Sequence, residues 1–103
     1  MSKDELRSLL AERLARFRTW SYAELAEHIS RDCLEHVESI AADGTEYQVE
    51  FQVFWDDKRR GNIRVSGDIC VEPQKPLLGF IPIYTSDAVD SFIMSPDGRF
   101  VGE

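Results

Sequence analysis

Both histidines of the chain lie in one sixteen-residue stretch, SYAELAEHISRDCLEH (21–36), which spaces His28, Asp32 and His36 four residues apart. On a helix that spacing puts two imidazoles and a carboxylate on one stripe, and these side-chain types bind metal ions. The geometry argues against a single ion. The two rings would sit about 12 Å apart along the axis. Helical zinc motifs use an i,i+4 pair and take a further ligand from elsewhere, and no cluster of Cys or His offers one here. At about 100° per residue, Tyr22, Leu25, Ala26, Ile29, Cys33, Val37 and Ile40 share one apolar arc. His36 falls just inside its border, His28 just outside, and Asp32 can pair with either ring. The stretch is therefore expected to be the inner face of a core helix, without a metal.

The first part, SYAELAEHI, is similar to the opening helix of helix-turn-helix domains. That motif needs a short turn and a second helix to enter the major groove. Here the pattern continues past Leu34 to Ile40, and its polar face carries Glu24, Glu27, Glu35 and Glu38, which repel phosphates. Charge over the whole chain points the same way. The 103 residues carry a net charge of −7. Residues 1–45 hold six basic and nine acidic side chains (−3), and the remainder six and ten (−4). An acidic domain lacks the counterion release that drives nucleic-acid binding, and it is repelled by anionic lipid. If charge steers any partner, a basic protein surface or a cation is favoured. No apolar run approaches a membrane span, and MSKDELRSLLAERL is too charged for a signal peptide. Cys33 and Cys70 read as reduced thiols of a cytoplasmic protein.

Other chemistry is sparse. Cys33 points into the apolar arc. No serine has a G-x-S-x-G context and no glycine-rich phosphate loop is present. Neither a catalytic residue nor a cofactor is expected. Asp87 and Asp90, with Tyr84 nearby, could form a carboxylate pair. In DDKRRGN (56–62), Lys58, Arg59 and Arg60 beside Asp57 could grip an anionic partner.

Position for all of these comes from a simple element order. Ser2 to Glu5 is a capping box, and Leu6, Leu9, Leu10, Leu14 and Phe17 form one stripe, which predicts a helix over 3–17. Ser21 to Glu24 is a second capping box, with Trp20 and Leu25 placed as a hydrophobic staple. The second helix is expected to run to about Ala42, stopped by Asp43-Gly44. From Thr45 the period becomes two. Tyr47, Val49, Phe51, Val53 and Trp55 line one face of a strand, and Ile63 to Val71 alternate as its hairpin partner. Gly67 inside that strand marks a bulge or a close backbone approach. Residues 79–84 read as a third strand and 91–95 as a fourth, and Ser95-Pro96-Asp97-Gly98 has the composition of a type I turn.

Two helices followed by antiparallel strands make one α+β domain over 1–103, with both helices on a meander of four to five strands. The order resembles cystatin-like domains in architecture. The compact acidic chain closing on SPDGRFVGE also resembles small bacterial domains of a kind that includes toxin-neutralising immunity proteins. Phe54 and Cys70 fall opposite the core pattern, and the fourth strand is apolar on both faces, so either the first helix packs on the second face or another chain covers it. Exposed apolar patches mark interaction sites. The expected function is a non-enzymatic protein-interaction module, immunity- or antitoxin-like, with a protein partner or a second copy (a homodimer) on a sheet face or the hairpin loops. Its residues would be Phe54, Asp57, Lys58, Arg59, Arg60, Tyr84, Asp87 and Asp90. The alternative is a small-molecule or catalytic pocket between the second helix and the curved sheet, walled by aromatic side chains, with His36, Tyr47 and Trp55.

Overall fold

A computed structural model describes residues 2–29, 34–71 and 87–103. The expected third strand with Pro82 and Tyr84, and Asp32 and Cys33, lie outside the described residues. Helix α1 spans Lys3–Ala15 and tightens into a 3-10 turn over Arg16–Thr19. Its first turn carries the Ser2 half of the expected capping box, the Glu5 N–H donating to Ser2 Oγ. Leu6, Leu10 and Leu14 are buried along one side, with Phe17 one turn further on. Helix α2 is Tyr22–His28, and both halves of its capping box form between Ser21 and Glu24. Trp20 meets Phe17 edge-on at 5.2 Å, and Leu25 has no exposed surface.

The second helix ends far short of Ala42. Glu35–Ile40 is a strand, β1, paired antiparallel with β2 (Glu46–Trp55). The reason lies in Asp43-Gly44, which is a hairpin turn and not a helix stop. The Gly44 N–H donates to the Ala41 carbonyl, the Ala41 N–H donates to Thr45, and Gly44 has φ +87. A type I turn closed by a left-handed glycine is a standard three-residue hairpin loop. Residues Ser95 to Arg99 repeat it, with the Gly98 N–H on Ser95, the Ser95 N–H on Arg99, and Gly98 at φ +85.

Strands β3 (Ile63–Val71) and β4 (Ala88–Met94) complete a meander in the order β1-β2-β3-β4, every pair antiparallel. The architecture is α+β, with two helices against a four-stranded antiparallel sheet among the described residues. Both helices contribute to one core, in which Leu10, Leu14, Phe17 and Leu25 meet Tyr47, Val49, Phe51, Val65, Ile69 and Phe92. α1 lies mainly on β4 and β3, and α2 on β2 and β3. The β2–β3 register runs without interruption past Gly67, so no bulge forms there. The glycine serves a close approach instead: a Cβ would lie 2.6 Å from the Phe51 ring and 3.0 Å from Leu10 Cδ1.

Candidate functional site

Strand alternation sorts the remaining side chains. Both helices cover the face of Val49, Phe51 and Val65, and neither covers the opposite face. The register aligns its residues in rows across the sheet. At one end Phe54 of β2 faces Arg64 of β3, and Arg64 faces Ile93 of β4. The chain then returns beyond β4, where Met94 bridges to Phe100 and the Val101 N–H donates to the Ile93 carbonyl. Phe54 (40% exposed), half-buried Ile93 and Val101 (42%) thus form an apolar row. Arg64 lies between them and is neutralised: its Nε donates to Asp56 at 2.7 Å and its Nη1 to Ser91 at 2.9 Å.

The next row is uncharged, with Gln52, Ser66 and Ser91. Beyond it the face turns acidic. Glu50 stands between His36 and Asp68, and Glu38 and Glu46 follow on β1 and β2. His36 is exposed. Its Nε2 is 3.5 Å from Glu38 and its Nδ1 3.7 Å from Glu50. Moving His36 from helix to strand therefore moves it to the outer face of the sheet, away from α2. Tyr47 is buried on the inner face. Hydrogen bonding to Ser39, and beyond that Arg13, holds its phenol below the ordinary value. Trp55 lies on the same inner face at the far end of β2, about 26 Å from Tyr47 by strand rise, beside Tyr22. His36, Tyr47 and Trp55 are not brought together. A cleft of about 510 Å³ does open beside the start of α2, lined by Trp20, Tyr22, Met94, Pro96 and Phe100 with Arg18 at its wall. Arg18 is engaged there, stacked on Phe92 and Phe100 and bonded to Glu103 at 2.7 Å.

The hairpin tip between β2 and β3 is a held loop. Asp57 accepts the N–H groups of Lys58 at 2.7 Å and Asn62 at 2.8 Å, and these bonds, led by Lys58, keep its carboxyl below the ordinary value. The Tyr22 hydroxyl donates to the Gly61 carbonyl at 2.7 Å. Arg60 takes a left-handed backbone (φ 67). Lys58, Arg59 and Arg60 are all exposed, next to the apolar row. Asp57 therefore shapes the loop, and the three cations are what the loop presents.

The two remaining expected residues separate. Asp87 stands just before β4, where its carboxylate accepts the Val71 N–H at 2.7 Å and its own N–H donates to Ile69. Asp90 is exposed on the helix side of β4, beside Arg7 and Ser8 of α1. Three residues apart on a strand, they point to opposite faces and form no carboxylate pair. Cys70 is on the outer face as expected, yet it is only 9% exposed. The sequence shows the fourth strand apolar on both faces, Ile93 included, but not the register that sets Ile93 in the row of Phe54; Val101 was missed, and the SPDG turn that returns the chain beside β4 was its signal. No group of three or more His, Cys, Asp or Glu among the described residues could hold a metal ion. No helix among them is long and apolar enough to cross a membrane. No protein-family model, curated protein or solved structure matches the chain.

Proposed function

We propose that the chain is a non-enzymatic protein-interaction module that binds its partner through the outer face of the sheet. The observation that carries this reading is the row Phe54–Arg64–Ile93–Val101, an apolar strip on the face that neither helix covers. Acidic residues flank it on one side and the basic tip 58–60 on the other. A partner fitting that order presents an apolar anchor for the strip and a basic surface for Glu46, Glu50 and Asp68. The acidity of the whole chain supports the same choice, since opposite charge speeds encounter and fixes orientation. A small acidic protein that covers a basic one is what a toxin-neutralising immunity protein or antitoxin is, and the reading extends to that role. The cytoplasm is the compartment that fits it.

Phe54 is the anchor to test. Its replacement by Glu should leave the melting temperature within a few degrees of wild type and remove a contact worth about 2 kcal/mol of binding. The experiment compares proteins retained by wild type, by Phe54→Glu and Glu50→Arg, and by Glu12→Arg on the exposed side of α1. Partner retention lost in the first two and kept in the third supports the reading. Equal retention by all three would falsify it.

A further inference from the structure

The two edges of the sheet differ. β4 has company at its C-terminal end, where Phe100 and Val101 run beside it. β1 has none: among the described residues no strand lies beyond it, and His36, Glu38 and Ile40 are exposed, Ile40 by 65%. Its hydrogen-bond phase is set by the turn, because the Ala41 N–H donates to Thr45. In an antiparallel ladder the bonded residues alternate, so Val37 and Ser39 bond to β2. The N–H and C=O groups of His36 and Glu38 then point away from the sheet. An edge of this kind is usually blunted by lysine, proline or a bulge. The strand Glu-His-Val-Glu-Ser-Ile contains neither lysine nor proline.

We propose that this edge pairs with the same edge of a second copy, antiparallel about a two-fold axis at Val37, to make one continuous eight-stranded sheet. The charges choose the register. Centred on Val37, His36 of each copy lies opposite Glu38 of the other, in both hydrogen-bonded pairs. Centred on Glu38, the two Glu38 carboxylates would face each other directly, which is unfavourable. The Val37 register also orders the neighbours. Across the outer face each row reads Glu50, His36, then Glu38 and Gln48 of the second copy, so every imidazole lies between two acids and every Glu38 is backed by a neutral amide. A neutral imidazole N–H donates to a carboxylate, so the pair does not require a protonated ring. On the inner face the two Val37 side chains meet at a non-hydrogen-bonded position, where cross-strand side chains come closest. Val37 is half-buried in one chain, and the second copy would cover it. The interface goes beyond the partner-binding face: it uses the rim of the sheet, meets that face at Glu50, and leaves Phe54, Ile93 and Val101 open.

Sedimentation velocity over a concentration series tests it, with amide exchange of His36 and Glu38 as a second reading. The expected wild-type species is a dimer whose His36 and Glu38 amides become protected as concentration rises. Glu38→Pro removes an outward N–H without touching a β1–β2 bond. It should give a monomer with an unchanged circular dichroism spectrum. His36→Glu sets like charges opposite each other twice and should raise the dissociation constant on the order of tenfold. The exchange His36→Glu with Glu38→His restores both pairs and should recover the dimer. Phe54→Glu should dimerise as wild type does, whatever becomes of its partner binding. A wild-type monomer at every concentration overturns the proposal. So does a dimer that survives Glu38→Pro with a native spectrum, or an exchange variant no tighter than His36→Glu.

Discussion

A missing side chain sets the depth of the core. Gly67 lies between Phe51 and the tip of Leu10, and the space its Cβ would take belongs to the Phe51 ring. Gly67→Ala should cost about 2 kcal/mol through overpacking. Phe51→Leu in the same chain should recover part of that loss, as read by thermal melts. Asp43 shows the other kind of local control. Its carboxylate accepts the hydroxyl and the N–H of Thr45, which lowers its pKa from 3.8 to about 2. A carboxyl depressed in the folded state stabilises above its unfolded pKa, and that contribution fades as pH falls through the folded value. Wild type should therefore exceed Asp43→Asn in melting temperature by a constant margin above pH about 4. The margin should shrink toward pH about 2, and one that grew with acid would contradict the assignment.

Among the elements, the capped starts were legible, because a capping box is a local contract between neighbouring residues. The Glu5 N–H on Ser2 and the full box of Ser21 with Glu24 need nothing else from the fold. The end of α2 was not legible. Ile29, Cys33, Val37 and Ile40 continue a helical stripe on paper, but stripe membership is only half of the evidence for a helix. Ile40 is in fact exposed, and Val37 is drawn inward by pairing with Val49. That pairing is a tertiary fact, made available by the Asp43-Gly44 turn. The same two residues occur at Asp97-Gly98, where a preceding proline made the turn evident. The two loops should respond alike: Gly44→Ala and Gly98→Ala each force a left-handed residue and should each cost about 1 kcal/mol. The site was legible in part for the same reason. Alternation placed Phe54 on the outer face, but which strands lie beside it depends on register. Between elements, the Tyr22 hydroxyl ties α2 to the hairpin tip through Gly61. Tyr22→Phe should cost about 1 kcal/mol and speed amide exchange at Gly61 and Asn62.

At the scale of the whole molecule, charge is arranged along the sheet and not merely summed. The outer face runs from Lys58, Arg59 and Arg60 through the apolar row to Glu50, Asp68, Glu38 and Glu46. Binding of a basic partner should therefore weaken with added salt, mainly through slower association, and Glu46→Gln should flatten that dependence. Stopped-flow association rates at increasing ionic strength would measure it.

The position of α1 has a consequence for how the chain is made. The helix lies chiefly against β4, which follows β1, β2 and β3 in the chain. The hairpins between β1, β2 and β3 link near neighbours and can close during elongation. The apolar stripe of α1 is made before β1, β2 and β3 and stays uncovered until β4 follows them, and slow stages of synthesis leave that stripe open to chaperones and to other nascent chains.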